Sequence, residues 1–148
     1  MEFCDGSLED VLRRAESRKK AIDMNQIKHY VWQIFNGLSH MHEKSIAHRD
    51  LKPENILLLA PEGDALYESD PLTHEVKICD LGAAKVLSKS GLNTPYVVSR
   101  YYRAPELILG SNQYDCSIDV WSVGCILFEL ITRTPLFPGD TEGLQVLE

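Results

Sequence analysis

Apolar positions recur at helical spacing along the middle of the first third of the chain. Between residues 25 and 43 they fall three or four residues apart, which predicts one helix of several turns; the stripe comprises Ile27, Val31, Ile34, Leu38 and Met41. Trp32 and Phe35 widen this stripe. The pattern therefore predicts that both aromatic side chains pack in the core and that the helix is buried on more than one side.

Two further helices are predicted on either side of this one in the sequence. Residues 7–18 form the first, since Ser7 suits an N-cap and Glu9 and Asp10 suit the positive end of the helix dipole. Residues 115–132 form the other, with apolar side chains facing nearly every direction. Such a helix needs neighbours all round, and it exposes a large apolar patch wherever they are missing.

Two short apolar runs have the length of strands, at residues 56–59 and 76–79. They are expected to pair as a hairpin across residues 60–75, an acidic stretch with two prolines and a glycine that is predicted to be a surface loop. Residues 80–103 lack periodicity and are predicted to be extended. The elements together indicate an α+β fold, and 148 residues leave room for one domain.

Charge, apolar run length and the spacing of cysteine and histidine argue against several classes of protein. A net charge of −7 does not favour nucleic acid or anionic membrane as a partner, and no apolar run approaches the roughly 18–20 residues of a membrane span. The N-terminal residues lack the basic and apolar regions of a signal peptide. The four cysteines form no CxxC pair, and His40 and His42 point to different faces of a helix. These features indicate reduced thiols, no histidine metal site, and a cytoplasmic or nuclear location.

Polar residues cluster at the ends of the two predicted strands. Pairing of the strands would bring Asn55 and Asp80 together, and an amide oxygen beside a carboxylate suits Mg²⁺. Lys52 offers a cation for a phosphate, and Asp50 could accept or orient a hydroxyl proton. A site with a base, a cation and metal ligands but no covalent nucleophile favours phosphoryl transfer.

Three motifs then identify a family. Residues 48–55 read His-Arg-Asp-Leu-Lys-Pro-Glu-Asn and resemble the catalytic loop of eukaryotic protein kinases. Asp80-Leu81-Gly82 resembles the magnesium-binding triplet with Leu in place of Phe, and Ala104-Pro105-Glu106 resembles the end of the activation segment. Three motifs in the family's order are far more specific than any one of them.

Other segments resemble two kinases of the CMGC group. Residues 94–103 are similar to the T-x-Y lip of mitogen-activated protein kinases of the c-Jun N-terminal type. Residues 81–85, 117–122 and 137–140 are more similar to glycogen synthase kinase-3. The resemblance supports the group and leaves the subfamily open.

The resemblance implies a mostly helical large lobe of a kinase with a short β-hairpin at the cleft and the small lobe absent. Residues 1–148 would be a partial kinase domain, running from the hinge to the start of the helix after the central apolar one, with residues 60–75 as an acidic insertion. The implied reaction is transfer of the γ-phosphoryl group of ATP, with Mg²⁺, to Ser or Thr of a protein substrate. A preference for sites next to proline and an upstream activating kinase are allowed by the same resemblance.

Individual roles also follow from the resemblance. Asp50 would be the catalytic base and Lys52 the phosphate contact, and the metal ligands would be Asn55 and Asp80. The residues assigned to nucleotide binding are Glu2, Cys4, Lys52, Glu54, Asn55, Leu57, Cys79 and Asp80. Regulatory phosphorylation is assigned to Tyr96 and Thr94, and phosphate binding to Arg49, Lys85, Arg100 and Arg103. Asp119 would hold the backbone of the catalytic loop.

The resemblance leaves two functional hypotheses. The sequence carries no glycine-rich loop, strand lysine or helix glutamate ahead of the hinge, so the 148-residue chain alone is predicted to be inactive. One hypothesis is a Ser/Thr protein kinase of which this is a fragment. The alternative is a truncated, non-catalytic pseudokinase that acts as a protein-binding module.

Overall fold

The computed structural model describes residues 4–87, 93 and 101–139. Within them the helices are α1 (Leu8–Ser17), α2 (Met24–Glu43), α3 (Pro105–Ile108) and α4 (Ser117–Thr132). The three predicted helices are confirmed with ends shifted by at most two residues, whereas the short α3 was not predicted. No helix in these ranges is both long and apolar enough to cross a membrane.

Side-chain caps fix where the first two helices begin. Ser7 Oγ accepts a hydrogen bond from the Asp10 backbone N–H, and the Asp10 carboxylate accepts one from the Ser7 N–H, which forms a capping box. The Asp23 carboxylate accepts from the N–H groups of Asn25 and Gln26 at the start of α2. These caps satisfy donors that a helix cannot pair internally.

The strands form two small antiparallel sheets. β1 (Gly6–Ser7), β3 (Ile56–Leu59) and β4 (Glu75–Ile78) lie in the order β1-β3-β4, while β2 (Ile46–Ala47) pairs with β5 (Lys85–Val86). The predicted hairpin is confirmed, with Ile56 opposite Ile78, although its second strand begins and ends one residue early. The extended prediction for residues 80–103 is wrong at Leu81–Ala83, which form a 3₁₀ turn, and is confirmed at Lys85–Val86, which form the strand β5.

One hydrophobic core joins α2 to the three-stranded sheet and to α4. Its fully buried side chains come from every layer and include Leu8, Ile27, Tyr30, Ile34, Ile56, Leu58, Ile126 and Leu130. Helix α2 approaches β4 closely at Gly37, where a Cβ would lie 3.0 Å from Ile78 Cδ1. The loop at residues 48–55 is attached to this core through Leu51 and the following Ile56, both of which are buried in it.

The prediction that Trp32 and Phe35 pack in the core is wrong. Trp32 is 64% exposed and Phe35 is 42% exposed, so α2 buries one face only. Successive helical residues turn by about 100°, which places Trp32 about 140° and Phe35 about 80° around the helix from Ile27. The buried stripe lies close to the direction of Ile27, and these two aromatic residues fall beside or opposite it.

This division of α2 gives a stability prediction. Ile34→Ala should lower the free energy of unfolding by about 2–5 kcal/mol, because Ile34 is fully buried and its loss leaves a cavity. Trp32→Ala removes a larger side chain yet should cost under about 1 kcal/mol, since it is mainly solvated. Urea unfolding of both variants measures the difference, and equal losses would place Trp32 in the core after all.

Residues 60–75 are not simply a surface loop, which corrects that prediction. Leu66 and His74 are buried within this acidic stretch. The Tyr30 hydroxyl lies 2.6 Å from His74 Nδ1, and His74 Nε2 lies 2.9 Å from Ser69 Oγ. Gln26 Nε2 donates to the Tyr30 oxygen, and the Ser69 hydroxyl donates to the Leu66 carbonyl. A neutral His74 with its proton on Nε2 satisfies this whole chain of hydrogen bonds and ties the segment to α2.

The same network predicts a pH dependence of stability. Burial lowers the pKa of His74 below its usual 6.5, and nearby His29 acts in the same direction. The unfolded chain therefore takes up this proton first, so the stability is complete above about pH 6.5 and is lost as the pH falls toward the lower folded value. His74→Gln should reduce the loss seen in chemical unfolding between about pH 7.5 and 5, whereas His40→Gln at an exposed position should not.

Helix α4 has a buried face and an apolar exposed face. Ile118, Val123, Ile126 and Leu130 are buried, whereas Val120, Trp121, Phe128 and Ile131 are between 37% and 46% exposed. On this exposed face the ring of Trp121 stacks with the ring of Phe137, with their centroids 5.8 Å apart. The predicted apolar patch is thus present on α4 among the described residues.

Candidate active site

A buried carboxylate on α4 organises the loop between β2 and β3. Asp119 is 0% exposed, and its Oδ2 accepts hydrogen bonds from the His48 backbone N–H at 2.8 Å and from His42 Nε2 at 2.9 Å. Its Oδ1 accepts from the Arg49 N–H at 2.9 Å. Arg49 has a left-handed backbone with φ of 71°, which is unfavourable for a side chain of this type. Asp119 therefore holds a strained turn in place, and its expected contact with the loop backbone is confirmed.

His48 connects this loop to the end of β4. The imidazole is fully buried, its Nδ1 accepts from the Asp50 backbone N–H, and its Nε2 lies 2.9 Å from the Cys79 carbonyl oxygen. A carbonyl can only accept, so the ring carries a proton on Nε2 and is neutral with an accepting Nδ1. The loop and the strand end are held together by one side chain.

The Asp50 carboxylate is a buried acceptor whose two oxygens differ in their hydrogen-bond partners. It is 7% exposed, and its Oδ2 lies 3.6 Å from Lys52 Nζ. Its Oδ1 is buried and has no hydrogen-bond partner among the residues that the structure describes. Buried carboxylate oxygens are rarely left without a donor, and such an exception indicates a functional role. A substrate hydroxyl is a donor of the required kind.

Pairing of β3 with β4 brings Asn55 and Asp80 to the same edge of the sheet, as the sequence predicted. Asn55 Nδ2 donates to the Asp50 carbonyl at 2.9 Å, which fixes the amide so that its oxygen points away from that bond. The Asn55 carbonyl accepts from the Cys79 N–H at 2.9 Å, which brings the next residue, Asp80, to the same edge. Asp80 has φ of 60° and uses Oδ1 to accept from the Gly82 N–H. A Cβ at position 82 would lie 3.2 Å from this oxygen, so glycine leaves the carboxylate room.

This donor set fits a magnesium ion. Apart from the bond to Gly82, the Asp80 side chain makes no hydrogen bond within the described ranges. One amide oxygen and one carboxylate match the few protein ligands that Mg²⁺ takes when phosphate oxygens and water complete its shell. No cluster of three or more His, Cys, Asp or Glu suited to another metal occurs in residues 4–87, 93 and 101–139.

The residues expected around the nucleotide base lie along the neighbouring strand edge. Leu57 is half-buried and stands opposite Ser7 in the β1–β3 ladder, which the bond from the Asp5 N–H to the Leu58 carbonyl extends toward Cys4. Burial raises the pKa of the Cys79 thiol, and the charges of Asp80 and Cys4 raise it further. Glu54 is exposed. Glu2 lies outside the described residues.

Three of the four expected phosphate-binding cations converge near the loop. Arg49 Nε donates to the Ala83 carbonyl at 2.7 Å, and its Nη1 donates to the Tyr114 hydroxyl at 3.1 Å. Arg103 is buried and lines a small cavity together with Arg49. Lys85 stands opposite Ala47 in the β2–β5 pair, two residues from Ala83. Arg100, Thr94 and Tyr96 lie outside the described residues.

Helix α4 also holds Tyr102, two residues before Ala104-Pro105-Glu106, through contacts that the sequence did not reveal. The Tyr102 hydroxyl donates to Glu129 Oε2 at 2.8 Å, and Ser122 Oγ donates to the Tyr102 carbonyl at 2.7 Å. Burial raises the pKa of the Glu129 carboxyl, and the Tyr102 bond offsets part of that effect. These partners are far apart in sequence, so no local pattern could have paired them.

The chain is similar in sequence to known protein kinases. The protein kinase domain family matches residues 1–147 of the chain. A protein of Pyricularia oryzae named glycogen synthase kinase 1 is 40% identical over 147 residues, which is 99% of this chain. The matched region is 34% of that relative, so the chain spans about one third of its length.

Proposed function

Because the chain belongs to the protein kinase domain family, we propose that the site around Asp50 transfers the γ-phosphoryl group of ATP to Ser or Thr hydroxyls of protein substrates. The observation that carries this proposal is the buried Asp50 Oδ1, which lacks a donor while Oδ2 faces Lys52. A hydroxyl that donates to Oδ1 would be oriented for attack, and its proton would have an acceptor.

The other residues take roles that suit their contacts. Lys52 would neutralise a phosphate oxygen, and Asn55 and Asp80 would hold the magnesium ion, which supplies charge neutralisation of the nucleotide phosphates when bound. Cys4, Leu57 and Cys79 would line the pocket for the adenine, with Glu2 and Glu54 at its margin. Because phosphoryl transfer requires little covalent chemistry from the protein, these side chains would position the nucleotide and the substrate hydroxyl and neutralise the charge of the phosphates.

The basic residues near the loop support a regulatory role for a bound phosphate. Arg49, Lys85 and Arg103 would bind a phosphate on Tyr96 or Thr94 or on a substrate, and Arg100 would add to them. An upstream kinase would then be a partner, alongside protein substrates that include sites next to proline. We place this activity in the cytoplasm or nucleus, with neither nucleic acid nor membrane as a partner.

The direct test is transfer of label from γ-labelled ATP to a set of serine-, threonine- and tyrosine-containing peptides, with phosphoamino-acid analysis. The expected result is magnesium-dependent label on serine and threonine, lost on chelation. The protein should be tested at the length that the cell produces. Magnesium-dependent label on tyrosine alone would contradict the proposed specificity, and no label on any peptide would contradict catalysis.

The exposed apolar face of α4 favours a second candidate, a non-catalytic pseudokinase that binds a protein partner through this face. In this case the 148-residue chain itself would be the cellular product and would have negligible activity. An immunoblot with an antibody to residues 60–75 separates the two. A band well above 16.8 kDa favours the kinase, whereas a band at 16.8 kDa favours the binding module.

A further inference from the structure

A large cavity lies outside the candidate active site and shares none of its residues. It measures about 630 Å³, is open to solvent, and is bordered by the C-terminal half of α1, the turn that follows, the start of α2 and residues 66–74. Cavities of about 300–1,000 Å³ that are built from several elements are typical of small-molecule sites.

Positive charge gathers around this cavity although the chain as a whole carries −7. Arg14, Arg18 and Lys20 line it, and none of them forms a salt bridge with another described residue. The one lining carboxylate, Asp23, is already engaged in capping α2. A locally basic cavity on an acidic protein attracts a negatively charged ligand.

The remaining walls combine apolar and aromatic side chains with the polar side chains of Gln26, Ser69 and His74. Val11 and Leu66 are buried side chains that line the cavity, and Tyr67 presents an aromatic ring over which the Arg14 guanidinium lies at 4.1 Å. An aromatic ligand could pack against these surfaces and stack with the same guanidinium.

The floor of the cavity is preformed. Tyr30 and His74 are almost fully buried there, and the hydrogen-bond chain through Ser69 satisfies their polar atoms. These groups therefore have no need of a ligand for hydrogen bonding, and they hold the walls at a fixed separation. The groups that remain available to bind a ligand are the cationic side chains at the rim and the apolar side chains of the walls.

We propose that this cavity binds a small aromatic anion, with its ring against Tyr67 and the apolar walls and its carboxylate or phosphate between Arg14, Arg18 and Lys20. The proposal does not rest on kinase activity, because its geometry involves none of the catalytic residues. Its readout is binding alone.

The test uses 2-naphthoate as the probe and 2-naphthalenemethanol as its neutral counterpart, titrated by calorimetry and by amide shifts in NMR spectra. We expect saturable one-to-one binding of the acid and at least tenfold weaker binding of the alcohol. The doubly substituted R18E/K20E protein should bind the acid at least about tenfold more weakly than the unsubstituted protein, because it places negative charge at the rim where the acid binds.

Two further variants separate this cavity from other surfaces. Lys19→Glu reverses one charge beside the cavity, at a residue that does not line it, and should leave the affinity nearly unchanged. Ala21→Phe fills the mouth at an exposed position, so it should weaken binding without disturbing the core. Equal affinity for acid and alcohol, equal effects of the Lys19 and R18E/K20E changes, or no saturable binding of the acid would each overturn the proposal.

Discussion

Asp50→Asn should reduce the rate of phosphoryl transfer by about 10²–10⁴-fold, the usual contribution of a positioned acid–base group. The substitution keeps the size of the side chain but removes its negative charge, so the amide cannot take up a substrate proton. Because Asp50 lies in the loop and not among the residues assigned to the adenine pocket, the dissociation constant for ATP should change little. Initial rates with a peptide substrate, together with nucleotide titration, measure the two effects separately.

Asp64→Asn is the matched control, because Asp64 is an exposed carboxylate in the acidic segment 60–75. It makes the same chemical change with no expected effect on the rate. An Asp50→Asn protein that retains more than about one tenth of the activity would rule out its role as base. A parallel loss of ATP binding would instead show that the substitution disturbs the folded loop.

The second large effect is expected at Asp119. Asp119→Asn should lower the free energy of unfolding by about 3 kcal/mol, because the amide nitrogen would face one of the donors that the carboxylate now satisfies. Those donors are the backbone N–H groups of His48 and Arg49 and the imidazole of His42. A loss of this size is a large part of the about 5–15 kcal/mol that stabilises a typical domain.

Asp115→Asn provides the comparison, two residues before the start of the same helix. Asp115 is exposed, and its carboxylate accepts a hydrogen bond from the Ser117 N–H. Hydrogen bonds from Ser117 lower the pKa of the Asp115 carboxyl, so the contact is favourable although it is solvated. Its replacement should cost about 0.5–1 kcal/mol. Urea unfolding of both variants tests the difference, and similar losses would mean that Asp119 is not the anchor of the loop.

The sequence predicted those parts of the fold that depend on local patterns. The start of α1 follows from Ser7, the extent of α2 follows from its apolar stripe, and β3 matches the run at residues 56–59. The position of Asn55 and Asp80 at one sheet edge followed from pairing two strands. Each of these needs only neighbouring residues or one hairpin.

What could not be predicted depends on contacts between distant residues. Trp32 is an exception, because its angle of about 140° from Ile27 around α2 follows from the sequence spacing and already places it away from the buried face. His74 is buried in an acidic stretch because it meets Tyr30, 44 residues earlier in the chain. The role of Asp119 came from family resemblance, and His42 as its additional partner had no signal in the sequence.

The His48 imidazole has a consequence for how the site opens. It accepts from the Asp50 amide and donates to the Cys79 carbonyl, and the Cys79 amide in turn donates to Asn55. The loop at residues 48–55 and the end of β4 at Cys79 share these hydrogen bonds, so neither can open without releasing the other. The two segments therefore form one cooperative unit in local unfolding. The amide protons of Asp50 and Cys79 should therefore exchange with solvent deuterium through a shared event and at correlated rates.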